Sequence, residues 1–222
     1  MTTTIIFDLD GTLMNTLDDL HESVCHALQE YNLPLQDKVD TRRFLGNGIK
    51  NLVERSINNV RPDTPDEVRN NVFQSFSEYY MQHSMDKTAP YEGVMTMLHL
   101  CKTKGLITAI VSNKLEAAVK NLHNAFFADC IDVAIGETAE IRRKPAPDMV
   151  NEAIHQLSLK YNRIIHLHEC VYVGDSEVDL ATANNAGVPC ISCSWGFRDR
   201  TWLEECGAKI IIDKPDELLG VL

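Results

Sequence analysis

Six short apolar runs rich in β-branched residues punctuate the chain, at Thr3–Leu9, Leu106–Val111, Ile131–Ile135, Cys170–Val173, Pro189–Ser192 and Lys209–Ile212. Their apolar character is nearly continuous, as a strand covered on both faces requires, and helical stretches separate several of them. That alternation predicts an α/β fold: a doubly wound, mostly parallel, Rossmann-like sheet. At 222 residues, 44% of them hydrophobic, the chain is long enough for one sizeable core and a smaller accessory domain.

Between Thr16 and about Met85 the texture changes. Strand-like runs disappear, and apolar residues recur at helical spacing, as in Leu20, Val24, Ala27, Leu28 and Tyr31, then Val68, Val72, Phe73, Phe76 and Tyr80. The expected organisation is an α/β core of residues 1–14 and 86–222 interrupted by a helical insert of residues 15–85. The aromatic stripe of the second helix suits a core face better than a ligand cage.

Charge narrows the partners. With 21 Lys and Arg against 32 Asp and Glu, the net charge of −11 repels a nucleic-acid backbone, and no basic stripe offsets it. An anionic small molecule then needs local neutralisation by a cation or by backbone amides. No apolar run is long enough to span a membrane, and the run Ile5–Phe7 is too short for a signal peptide core. The seven scattered cysteines suggest reduced thiols and a cytoplasmic protein; Cys190 and Cys193 form a CxxC, but within a strand-like run that favours a structural reading.

In open parallel sheets ligands bind beyond the carboxyl ends of the strands. Four such ends are polar. The first is Asp8-Leu9-Asp10-Gly11-Thr12, two carboxylates beside a glycine that permits a tight turn. The second, Ser112-Asn113-Lys114, presents a hydroxyl and free amides at the start of a helix expected over Leu115–Ala125. The third is Lys144-Pro145-Ala146-Pro147-Asp148, with Lys144 in an extended segment before a helix. The fourth, Gly174-Asp175-Ser176-Glu177-Val178-Asp179, offers hard oxygen ligands of the kind that magnesium prefers.

These four segments, in this order, resemble the motifs of haloacid dehalogenase-like phosphohydrolases, and the insert after the first motif looks like the helical cap of that superfamily's first cap class. Within it, the segment Arg42–Gly48 and Ser112-Asn113-Lys114 are similar to bacterial phosphoglycolate phosphatases. The resemblance implies a magnesium-dependent phosphatase in which Asp8 is the nucleophile and Asp10 the general acid and base, with Ser112 and Lys144 on the phosphoryl oxygens. Magnesium would be held by the Asp8 carboxylate, the Asp10 main-chain carbonyl and Asp175, with Asp179 in support.

The implied substrate is a small phosphorylated metabolite, 2-phosphoglycolate foremost, contacted by Gly11, Thr12 and Asn113 and, from the insert, by Arg43, Asn47 and Gly48. A phosphosugar mutase, a pyrophosphatase, a phosphonoacetaldehyde hydrolase or a non-catalytic phospho-ligand regulator would use the same core. The turn Trp195–Arg198 fits either a cleft mouth or core packing, and the oligomeric state is not encoded in any motif.

Overall fold

A computed structural model of the chain describes residues 2–222. The chain enters through strand β1 (Thr4–Phe7) and reaches the short β2 (Met14–Asn15). Four helices follow, α1 (Leu17–Glu30), α2 (Lys38–Phe44), α3 (Gly48–Val60) and α4 (Asp66–His83), before the short β3 (Ala89–Pro90). The remainder runs α5 (Val94–Thr103), β4 (Ile107–Leu115), α6 (Glu116–Leu122), β5 (Val133–Glu137), α7 (Asp148–Lys160), β6 (Cys170–Gly174), α8 (Glu177–Ala186), β7 (Cys190–Cys193), α9 (Arg200–Glu205) and β8 (Ile211–Ile212). Two compact units result: residues up to Met14 with Pro90–Leu222, and Asn15–Ala89.

The larger unit is built on a six-stranded sheet in the order β5-β4-β1-β6-β7-β8, with parallel neighbours throughout. Parallel pairing needs crossovers, so helices cover both faces and every central strand is buried twice. β1 shows the consequence: Ile5 and Phe7 join one apolar layer with Val94, Met97 and Leu98 of α5, while Ile6 joins the other with Met149, Val150 and Ala153 of α7. Each such side chain, removed from water, stabilises the sheet by roughly 1.5–3 kcal/mol before entropy is set against it.

β1 lies between β4 and β6, the point where successive connections leave in opposite directions along the sheet. Phe7 is level with Ile110 on one side and Val173 on the other, so the segments leaving β1, β4 and β6 converge at one crevice.

Two details depart from the expected elements. β4 does not stop at Val111 but continues, with an irregularity in register, to Leu115; its partner β5 extends alongside to Glu137 and keeps that backbone paired. The helix expected over Leu115–Ala125 accordingly starts at Glu116 and widens into a π-helical turn over His123–Phe127. Lys144 also sits in a turn rather than an extended segment, closed by the Ala146 N–H on the Arg143 carbonyl, and the Lys144–Pro145 peptide is cis.

The smaller unit is helical, with α1 packed on α4 and the buried set Leu20, Val24, Ala27 and Leu28 matching the spacing read from the sequence. Asp19, buried on α1, accepts hydrogen bonds from the backbone amides of Lys87 and Thr88 and so ties the end of this unit to its first helix. Among the described residues, no helix is long and apolar enough to cross a membrane.

Candidate active site

Asp8 is the first residue past β1, and its amide still donates to the Val173 carbonyl at 2.9 Å, which sets its backbone by sheet pairing. Its carboxylate lies with those of Asp175 and Asp179 in a buried group whose ligand atoms all fall within 4.8 Å of one another. The Lys144 ammonium pairs with two of them: Nζ is 2.7 Å from Asp8 Oδ1 and 2.8 Å from Asp179 Oδ1.

Three carboxylates crowd together in a dry place. Burial, reinforced by Asp179, pushes the Asp8 carboxyl well above the usual carboxylate range, although Lys144 pulls it back. Burial and Asp179 likewise push Asp175 up to about 7, against hydrogen bonds from the Phe197 amide and Thr12. Burial opposes the charge on Lys144, but Asp179 and Asp8 together outweigh it and hold the ammonium firmly protonated. This unbalanced oxygen cluster fits a hard divalent cation, which would restore the missing positive charge.

Asp175 is held on two sides. The Thr12 hydroxyl donates to its Oδ1 at 2.9 Å and the Phe197 amide to its Oδ2 at 2.7 Å. The turn Trp195–Arg198 therefore belongs to the site's framework: the Trp195 indole donates to the Thr12 carbonyl at 3.0 Å while its ring packs on the core, and Arg198 makes a two-pronged pair with Glu177. Gly196 allows this approach, since a Cβ there would run into the Gly11 carbonyl oxygen and the Asp175 side chain. Gly11, at φ +92°, is equally tight against Asp175.

Asp179, at the first turn of α8, is fully buried and does two things. Its Oδ2 accepts from the amide and hydroxyl of Ser176 in a capping box, and its Oδ1 accepts from Lys144. The β4 extension brings Ser112 to the crevice, where its hydroxyl accepts the Lys114 amide at 3.2 Å. Asn113 turns away from it and grips the turn that bears Lys144, donating to the Lys144 carbonyl and accepting from its amide at 2.8 Å.

The structure thus brings Asp8, Asp175, Asp179 and Lys144 together, with Thr12 and Gly11 against Asp175. Thr12 and Asn113, expected among the substrate contacts, have their side chains engaged within the protein. The Asp10 side chain stands apart from the acid cluster and pairs with Lys114 at 3.1 Å, a partner that the sequence reading named only as part of a motif. The signal was present: in a strand continuing past Val111, Ser112 and Lys114 fall on one face.

Arg43, Asn47 and Gly48 lie in the helical unit. Arg43 is largely exposed, pairs with Asp40 at 3.0 Å and stacks over Phe44. Gly46 and Gly48, both at positive φ, form the turn between α2 and α3, and the Asn47 carbonyl accepts from the Asn51 amide group. The CxxC cysteines sit at the two ends of β7, and both are free thiols.

The haloacid dehalogenase-like hydrolase family matches this chain over residues 5–193, and the chain belongs to that family. A phosphoglycolate phosphatase of Mesorhizobium japonicum is 32% identical over 88% of this chain and 84% of its own length. One from Neisseria meningitidis is 31% identical over 98% of this chain and 89% of its own. A crystal structure from Lactobacillus delbrueckii subsp. bulgaricus, provisionally assigned as a phosphoglycolate phosphatase, superposes with a TM-score of 0.88 at 32% identity, covering 100% of this chain and 98% of that one.

Proposed function

We propose that this hydrolase is a magnesium-dependent phosphatase that works through a phosphorylated Asp8. The carrying observation is the position of Asp8, buried at the end of β1, paired with Lys144 and grouped with Asp175 and Asp179. Its carboxylate oxygen attacks the phosphorus of a phosphomonoester and the bond to the leaving oxygen breaks, leaving an acyl phosphate on Asp8. Water then attacks that phosphorus and releases phosphate.

Asp10 acts on both steps, giving its proton to the leaving alkoxide and taking one from the attacking water. Its place two residues past Asp8, with a separate lysine, supports that division of labour. Lys144 and Ser112 meet the oxygens of the transferring group. Such preorganised charge is typically the largest contribution to phosphoryl transfer. Asp8 and Asp175, with the Asp10 carbonyl and with Asp179 in support, are the groups that would hold magnesium, which when bound neutralises the cluster and polarises the phosphoryl group.

The substrate reading is 2-phosphoglycolate, supported by the relatives of that name at 32% and 31% identity. Arg43, with Asn47 and Gly48, is the candidate for recognising its carboxylate, because a guanidinium binds that group with two parallel hydrogen bonds. The experiment is phosphate release from 2-phosphoglycolate, sugar phosphates, nucleotides and pyrophosphate, with and without magnesium, for the native protein and Asp8→Asn. Release that requires both magnesium and Asp8 is expected, with 2-phosphoglycolate turned over fastest; release undiminished in Asp8→Asn rules the mechanism out. Unchanged selectivity between carboxylated and uncarboxylated phosphates in Arg43→Ala removes Arg43 from the reading.

A further inference from the structure

A lysine ammonium has three N–H donors, and a buried one needs a receiver for each. Lys144 has three near neighbours: Asp8 Oδ1 at 2.7 Å, Asp179 Oδ1 at 2.8 Å and, at 3.2 Å, the hydroxyl of Tyr172. Tyr172 belongs to none of the four motif segments that mark the site. It is completely buried in the middle of β6, level with Ile6 of β1 on one side and Cys190 of β7 on the other. Its hydroxyl also lies 3.2 Å from Asp179 Oδ1 and 3.5 Å from the Val111 carbonyl. The single phenolic proton goes to one of these acceptors, which frees an oxygen lone pair for Lys144.

We propose that Tyr172 is a positioning residue for phosphoryl transfer: with Asp179 it takes two of the three Lys144 donors, so that the third is aimed at Asp8 and at the phosphoryl group Asp8 carries. The inference rests on the reading of Lys144 as the cation that holds the phosphoryl oxygens. A carboxylate at this place would add a fourth negative charge to an already overcharged cluster. A hydrocarbon would leave a buried N–H without a partner and the ammonium free to tilt. The phenol avoids both faults, and its ring is fixed by a strand paired on both edges, the kind of support that holds a reactive group to a fraction of an ångström.

The test compares three variants with the native protein, using p-nitrophenyl phosphate and magnesium and following kcat, KM and melting temperature. Tyr172→Phe keeps the ring and removes the oxygen. Ile135→Val trims a buried residue of the same apolar layer and removes none of the polar groups around Lys144. Lys144→Ala tests the underlying reading. Tyr172→Phe is expected to fold, to lower kcat about tenfold and to leave KM within about twofold, because the lost alignment is felt where charge develops on the transferring group. Ile135→Val should lower the melting temperature without lowering kcat.

Lys144→Ala inactive with Tyr172→Phe at native kcat overturns the role of Tyr172 and leaves the phosphatase reading standing. Equal losses of kcat in Tyr172→Phe and Ile135→Val also overturn it, since the hydroxyl would then matter only for stability. Activity retained in Lys144→Ala removes the phosphoryl-holding role of Lys144, and the role of Tyr172 with it.

Discussion

Lys114 Nζ lies 3.1 Å from Oδ1 of Asp10, 104 residues earlier in the chain, whereas Asp8 pairs with Lys144. The two carboxylates at the end of β1 therefore answer to different cations. Asp8 is locked in a buried cluster; Asp10 is a fifth exposed at its side chain and held by one lysine. That difference suits an inflexible nucleophile beside a proton carrier with access to the leaving group.

Removing the Lys114 tether should impair proton transfer more than phosphoryl attack. Lys114→Met is expected to lower kcat/KM, which reports the step that expels the leaving group, by roughly tenfold on an alkyl phosphate, whose leaving oxygen needs a proton, and by much less on p-nitrophenyl phosphate. Asp10→Asn should show the same ordering more strongly. Equal losses on the two substrates in steady-state assays would contradict the assignment of Asp10 as the acid.

Asp8→Asn should separate activity from stability. It deletes the proposed nucleophile, yet it also removes one of three crowded carboxylates, of which Asp8 and Asp179 share the Lys144 ammonium. The variant is expected to be inactive and, without metal, to melt a few degrees higher than the native protein, because unpaired buried charge is costly. A lower melting temperature would show that the Asp8–Lys144 pair stabilises more than the crowding costs.

The same cluster makes the metal-free protein sensitive to pH. Burial, with Asp179, lifts the Asp175 carboxyl from an ordinary 3.8 to about 7, and Asp8 moves in the same direction. The folded chain then binds more protons than the unfolded chain between those values, so stability is greatest at the acid end of that window and is lost as pH rises through about 7. Thermal melts without metal should give a higher midpoint near about pH 5.5 than near about pH 7.5, and added magnesium should shrink the difference by favouring the ionised cluster. A midpoint that climbs with pH in the absence of metal would contradict this.

Gly196→Ala should disturb the cluster from outside the four motifs. The new methyl would press on the Gly11 carbonyl and on Asp175 while Phe197 still needs to donate to that carboxylate. The expected result is a folded protein whose magnesium requirement rises at least about tenfold in a titration of activity, since misaligned ligands weaken metal binding. An unchanged magnesium dependence would show that the turn tolerates the methyl by moving away.

The strands and the polar segments that follow β1 and β6 were legible in the sequence because their information is local. A run such as Ile5-Ile6-Phe7 specifies a doubly covered strand, and the polar residues that end it must then lie at the sheet's carboxyl edge. Less legible was where a strand stops. Ser112–Lys114 read as the start of a helix because polar residues ended the apolar run, but pairing with β5 carries the strand to Leu115 and aims Lys114 at Asp10.

The chain's own residue order thus determined the parallel α/β core, the position of Asp8 at the end of its first strand and the acids and lysine available to it. Only the tertiary structure decided which groups are partners: Asp8 with Lys144, Asp10 with Lys114, Asp175 with Thr12 and Phe197, and Lys144 with Tyr172. Strand formation follows from the pattern of a few consecutive residues, whereas these pairings join segments up to 163 residues apart. They are set by the strand order β5-β4-β1-β6-β7-β8 and its register, which lets groups from the ends of β1 and β6, from β4, from the turn before α7 and from the turn after β7 meet in one crevice.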